Sequence, residues 1–280
     1  MVILTDRNAL RAWVAQQRSS GHTLGFVPTM GALHAGHLHL VDQSRAHTDR
    51  TVVSIFVNPT QFGPGEDFDR YPRIPDQDQR LLRQGGCHAL FYPDVATIYP
   101  EGFQTTVLVE PLGSDLCGRE RPGHFQGVAT VVTVLLNLVK ADKAFFGLKD
   151  YQQFVIIRQL VRDLSMDVAI EGVPTVREED GLAMSSRNRY LSIEDRRRAT
   201  AISAGLAAAR TAFMAGEREA GRLEAIARRI MVEAGIHRIQ YISVRSASTL
   251  LPMKTIDSEG VILTAVKVGS TRLIDNMLLM

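Results

Sequence analysis

Two histidines three apart, His34 and His37, stand with Gly36 between them in the stretch PTMGALHAGH, Pro28 to His37. A short apolar run, LGFV, precedes the stretch, and a helical pattern follows from about Gly36. Glycines let a backbone approach a ligand closely. A helix start offers N–H groups without intrahelical partners and the positive end of a dipole, and both favour phosphate. Imidazole N–H groups aimed at a phosphate would stabilise the charge that grows as a pyrophosphate leaves. Plainer readings exist for the same residues. One histidine could cap the helix or pack in the core. A pair at this spacing could also bind a metal, although no third ligand of suitable spacing follows.

A second chemical stretch is FFGLKDYQQF, Phe145 to Phe154, again an apolar run into a glycine turn and then a helix. Lys149 is a compact cation placed for a phosphate. Asp150 could hold a metal ion or cap the helix, and Gln153 three residues later fits a capping box with no function at all. A third is GLAMSSRN, Gly181 to Asn188, where two hydroxyls and Arg187 could grip phosphates in a closed state. Its plain reading is a polar turn. SIFVNPTQF ends in Asn58 and Gln61, amides able to orient a polar substrate. GRERPGHFQGVATVV brings Arg119, Arg121 and His124 to a glycine-rich helix start, either a second anion-friendly edge or a mobile surface loop. Asp76 and Asp78 in PDQDQ fall at a helix start, where acids interact favourably with the dipole, more often as caps than as metal ligands.

These stretches need elements to position them. Short runs rich in branched and aromatic residues read as buried strands: 24–29, 51–59, 88–93, 105–110, 143–147 and 167–174. Segments of helical period lie between most of them, at 36–47, 76–84, 128–139 and 151–163. Strand and helix in alternation predict an α/β fold, a Rossmann-like, doubly wound parallel sheet that binds ligands beyond the carboxyl ends of its strands. From about residue 174 the texture changes. An alanine-rich helix with Ser192 as N-cap, a second helix near 217–234 and the strands QYISVRSAS and GVILTAVKV predict a smaller α+β domain. Asp180-Gly181 is a hairpin signal. The expected domains are 1–173, which binds the nucleotide and substrate, and a lid over 174–280.

With 280 residues, 45% apolar and 22% charged, the composition is that of an ordinary globular protein. A net charge of +2, spread along the chain, lacks the clustered basic face that nucleic acid requires. Two cysteines outside any C-x-x-C predict reduced thiols, and no apolar run is long enough to span a bilayer. A cytoplasmic protein without a signal peptide is the expectation.

Taken together and in order, PTMGALHxGH, SIFVNPxQF, RPGHFxGVxTVV, FFGxKDxQQ, VREEDGLAMSSRN and TRLIDN resemble the pantoate–β-alanine ligase (pantothenate synthetase) family. That family belongs to the HxGH nucleotidyl-transfer superfamily, with the class I aminoacyl-tRNA synthetases. The resemblance runs from about Leu24 to Asn276, and six motifs in order are far more specific than any one. It implies an enzyme that joins pantoate to β-alanine with ATP, through a pantoyl adenylate, releasing AMP and pyrophosphate. It implies ATP contacts from Met30, Gly31, Ala32, Leu33, His34, Ala35, Gly36 and His37, from Gly147, Leu148, Lys149 and Asp150, from Val176, and from Met184, Ser185, Ser186 and Arg187. His37 is the catalytic position it implies, with His34 and Lys149 beside it in that role. Gln61 and Gln153 match the amides that hold pantoate, with Asn58 near them. Mg²⁺ is expected to ride on the ATP phosphates, with Asp150 and Asp78 as candidate ligands, and a homodimer is expected. Ala35 replaces a frequent acid, and Leu148 a frequent polar residue. A rival HxGH nucleotidylyltransferase that only transfers AMP would lack RPGHFxGV and NPxQF. A non-catalytic nucleotide-binding protein would have no reason to keep His34, His37, Lys149, Ser185, Ser186 and Arg187 together.

Overall fold

The computed structural model describes residues 1–280. It divides into two compact units, Met1–Leu148 with Ile156–Pro174, and Lys149–Val155 with Thr175–Met280. The first is built on six parallel strands. In chain order these are β1 (Val2–Leu4), then helix α1 (Arg7–Ser19), β2 (Leu24–Thr29), α2 (Ala35–His47) and β3 (Arg50–Ile55). A short 3₁₀ turn at Pro59–Gln61 leads to α3 (Pro75–Gln84), β4 (Ala89–Phe91), α4 (Val95–Ile98) and α5 (Cys117–Glu120). After these come α6 (His124–Val139), β5 (Lys143–Gly147), α7 (Tyr151–Asp163) and β6 (Ala169–Val173).

The strand order is β1-β4-β3-β2-β5-β6. Chain direction along the sheet reverses at β2, so the switch point lies between β2 and β5, where such sheets take ligands. Connections from β2 to β3 to β4 run one way and carry α2 and α3. Those into β2 and into β5 run the other way and carry α1 and α6. Right-handed crossovers put the two groups on opposite faces. One face buries Val27, Val53 and Leu90 against Leu40, Val41 and Leu82. The strands read as continuous apolar runs because both of their faces are covered.

The second unit contains α8 (Ile193–Met214), α9 (Ala220–Glu233) and an antiparallel sheet of β7 (Arg238–Ser246), β8 (Gly260–Val268) and β9 (Thr271–Leu279). Ser192 caps α8 by accepting from the Asp195 amide at 3.1 Å. Leu206 and Leu223 of the helices pack with Ile262 and Leu273 of the sheet. Lys149–Val155 belongs to this unit because Asn276 donates to the Lys149 carbonyl at 3.0 Å and the Tyr151 hydroxyl to the Ala247 carbonyl at 2.9 Å.

The stretch expected as a strand at 105–110 makes no ladder in this chain. Its alternating pattern is real, but Leu108 is 61% exposed and the Val107 amide is satisfied by the Thr130 hydroxyl at 2.9 Å. Strands β1 and β9 and helix α1 are additions to the sequence reading. Both cysteines are reduced and buried, and burial pushes the Cys87 thiol up to about 11, so it stays neutral. No helix is long and apolar enough to cross a membrane.

Candidate active site

The signature loop leaves β2 and enters α2 through two left-handed residues, Gly31 at φ 80° and Ala32 at φ 50°. Such geometry costs a residue with a Cβ about 1–2 kcal/mol. A Cβ on Gly31 would also lie 2.9 Å from both the Asp78 carboxylate and Ile55, so glycine is required there. The loop is held by Asp78 from α3. Its two carboxylate oxygens accept from the Ala32 amide at 2.9 Å and the Leu33 amide at 2.8 Å, and the residue is only 1% exposed. Asp78 therefore braces the loop. Of its two sequence readings, helix cap and Mg²⁺ ligand, the geometry favours neither.

His34 is the N-cap of α2, so the helix starts at Ala35. Its Nδ1 accepts from the Gly36 amide at 3.2 Å, and Nδ1 of His37 accepts from the His34 amide at 3.4 Å. The two rings lie 4.1 Å apart. An Nδ1 that accepts must be bare in the neutral imidazole, so each ring carries its proton on Nε2. The pair thus places two imidazoles at the positive end of a helix. Capping and ligand binding are compatible here, because they use different nitrogens.

Asn58 caps the 3₁₀ turn that follows β3 and Gln61 is the last residue of that turn, and both are buried. Asn58 donates to the Gln61 Oε1 at 3.1 Å and to the Gly127 carbonyl at 3.1 Å. Its own Oδ1 accepts from the Tyr99 and Thr60 hydroxyls, both at 2.9 Å. Gln61 Nε2 donates to the sulfur of Met30 at 3.1 Å, a weak acceptor that a substrate oxygen would readily replace. A Cβ on Gly127 would sit 2.7 Å from the Gln61 amide nitrogen. Only glycine lets α6 pack this closely on the turn. Met30 and Gly31 also border a cavity of about 690 Å³ at the carboxyl ends of β1, β3 and β4.

The basic loop expected as a second anion edge is already neutralised. Arg121 forks onto Glu66 at 2.6 Å through both Nε and Nη2, and this holds the Glu66 carboxyl below its ordinary range against the opposing effect of burial. Sequence reasoning had no means to pair residues so far apart in the chain.

In the second unit, Gly181 (φ 87°) turns the expected hairpin, and the Met184 amide returns to the Val176 carbonyl at 3.0 Å. Arg177 forks onto Asp275 of β9 at 2.7 and 3.0 Å. Asp275 is 3% exposed, so removing Arg177 would leave a buried carboxylate without its partner and cost about 3–5 kcal/mol. Asn188 donates to Glu178 at 2.6 Å, and Arg196 ties Glu178 and Asp180, each at 2.7 Å. This cage steadies Met184, Ser185, Ser186 and Arg187, with Ser185 accepting from the Arg187 amide at 3.3 Å. The neighbouring β9 residue Asn276 fixes the carbonyl of Lys149. TRLIDN therefore anchors two of the quoted motifs, a role that its residue types alone did not disclose.

Lys149 Nζ stands 4.0 Å from Asp150, whose side chain is 50% exposed. Gly147 ends β5, Leu148 begins the 3₁₀ turn after it, and Gln153 is half-buried on the first turn of α7. No group of three or more His, Cys, Asp or Glu side chains could cage a metal. A single open carboxylate such as Asp150 fits an ion carried chiefly by phosphates, which is how Mg²⁺ is commonly held.

Comparison with known proteins agrees with this geometry. The family model described as pantoate-beta-alanine ligase matches residues 2–278. The pantothenate synthetase of Magnetococcus marinus is 53% identical, covering 100% of this chain and 96% of the relative. That of Pelotomaculum thermopropionicum is 50% identical, over 100% and 99%. The crystal structure of pantothenate synthetase from Thermus thermophilus superposes with a TM-score of 0.94 at 44% identity, covering 99% of each chain. That of pantoate-beta-alanine ligase from Francisella tularensis, complexed with beta-gamma ATP and beta-alanine, gives 0.80 at 33%, over 99% and 97%. Full-length identity near one half, the same two-part fold and an ordered set of six motifs lead to one conclusion: the chain is an enzyme of the pantoate–β-alanine ligase family.

Proposed function

We propose that the enzyme condenses pantoate with β-alanine at the expense of ATP, through a pantoyl adenylate, to give pantothenate, AMP and pyrophosphate. The observation that carries this reading is the His34–His37 pair, which stands at the start of α2 with both Nδ1 atoms accepting from backbone amides. The bound ATP analogue and β-alanine of the Francisella relative support the same ligands here.

A carboxylate is a poor electrophile. Its oxygen attacks the α-phosphorus of ATP, the bond to the bridging oxygen breaks, and pyrophosphate leaves with the electron pair. Negative charge grows on the departing group, where His37, His34 and the cation of Lys149 act. Met30 to His37, Gly147 to Asp150, Val176 and Met184 to Arg187 hold the nucleotide. Gln61, Asn58 and Gln153 hold pantoate, with Gln61 Nε2 exchanging the Met30 sulfur for a substrate oxygen. The β-alanine amine then attacks the activated carbonyl, loses a proton and expels AMP. Mg²⁺ would accompany ATP, offsetting phosphate charge, with Asp150 as its nearest protein carboxylate. The reading includes a cytoplasmic homodimer.

The test is exchange of labelled pyrophosphate into ATP with Mg²⁺, without β-alanine. Exchange that requires pantoate is the expected result. Exchange without pantoate, or none despite bound ATP, would reject the adenylate step. In the same assay Gln153→Ala is expected to raise the pantoate KM about tenfold, the scale of one lost charge-assisted hydrogen bond, with little change for ATP. Equal rises for both would reduce Gln153 to a helix cap.

A further inference from the structure

Gln61 is held from two sides. Asn58 and Met30 engage its side chain, and a separate set engages its backbone carbonyl. That carbonyl accepts from His124 Nδ1 at 2.8 Å and from Arg121 Nη2 at 3.2 Å. The chemistry settles the state of His124. A carbonyl oxygen only accepts, so Nδ1 carries the proton. Arg121 only donates, so Nε2 of His124, 3.0 Å from Arg121 Nη1, is bare. His124 is therefore neutral and joins Arg121 to the Gln61 carbonyl. Arg121 uses its remaining face on Glu66, and its side chain is only 13% exposed. Glu66 in turn accepts from the Gly63 amide at 3.2 Å, in a loop where Phe62 packs edge-on against Phe68 and Tyr71.

We propose that His124 and Arg121 are positioning residues for pantoate binding, acting through the Gln61 carbonyl, and that Glu66 makes the loop from Phe62 to Tyr71 part of the same device. The proposal rests on the reading of Gln61 as a pantoate ligand. A side-chain amide can select one substrate pose only if its backbone is fixed. His124 at the start of α6 and Arg121 just before that helix supply this fixation from outside the 3₁₀ turn. Lysine could not replace Arg121, because the planar fork serves Glu66, His124 and Gln61 at once.

The experiment measures pantoate and ATP KM values in pyrophosphate exchange for the full chain and for Gln61→Ala, His124→Ala, His124→Asn, Arg121→Lys and the double variant Gln61→Ala/His124→Ala. His124→Ala and Arg121→Lys are each expected to raise the pantoate KM about tenfold and leave the ATP KM within about twofold. Asparagine carries an N–H near the place of Nδ1, so His124→Asn should recover most of the loss. The double variant should be no worse than Gln61→Ala, since both changes act on one group. If Gln61→Ala itself leaves the pantoate KM unchanged, the underlying reading falls and takes the inference with it. A raised value in Gln61→Ala beside unchanged values in folded His124→Ala and Arg121→Lys overturns the inference alone, as do losses that multiply in the double variant. Should His124→Ala fail to fold, Arg121→Lys carries the same comparison.

Discussion

His37→Ala is expected to slow pantoate-dependent pyrophosphate exchange by about 100-fold or more, the scale of one lost transition-state donor, while the protein stays folded. The folded-state cost is small because the His37 Nδ1 contact to the His34 amide is a long one at 3.4 Å, and α2 keeps its cap from His34 itself. The catalytic cost is large because Nδ1 accepts from the loop backbone, so the donor to the departing phosphate is Nε2–H. His37→Gln, which returns an N–H at a similar reach, should recover part of the rate. Exchange rates and thermal melts on the three proteins check this. Normal exchange in His37→Ala would remove the residue from the mechanism.

The second large effect is on the loop that carries the histidines. Asp78→Ala leaves two buried amides, those of Ala32 and Leu33, without their acceptor. Each orphaned donor costs about 1–3 kcal/mol, so a loss of about 2–6 kcal/mol in unfolding free energy is expected. The ATP KM should rise well over tenfold with it, because Gly31 and Ala32 keep their left-handed turn only while the carboxylate holds it. Asp78→Asn is expected to fall between, since its amide turns one acceptor into a donor facing another N–H. Urea unfolding and the ATP dependence of exchange measure both. Stability within about 0.5 kcal/mol of the parent in Asp78→Ala, the range of an ordinary surface change, would show that the loop holds itself.

The motif between β2 and α2 was legible because it is contiguous: apolar strand, glycine turn, histidines and helix occupy one stretch. So were the parallel α/β class and the Asp180-Gly181 hairpin, each written in local pattern. What stayed hidden depends on partners distant in sequence. Asp78 reads as a helix-start acid, and only the fold brings it to Ala32 and Leu33. Arg121 reads as an anion binder until Glu66 is found in its fork. Strand β9 escaped notice because Asp275 and Asn276 interrupt its apolar run, and these are buried where Arg177 and Lys149 meet them. The stretch at 105–110 misled in the opposite direction. Its alternation satisfies the strand pattern, but a ladder also needs a neighbour.

Seven residues, Lys149–Val155, belong to the compact unit otherwise made of Thr175–Met280. This constrains how such an enzyme can be recombined. A chimera joined at 174 would take its β9 from one parent and its Lys149 segment from the other. The Asn276 amide and the Ala247 carbonyl would then face a main chain and a Tyr151 hydroxyl with which they had not been selected. A crossover that respects the fold exchanges residues 149–155 together with the carboxyl-terminal part, as two separate inserts in one gene.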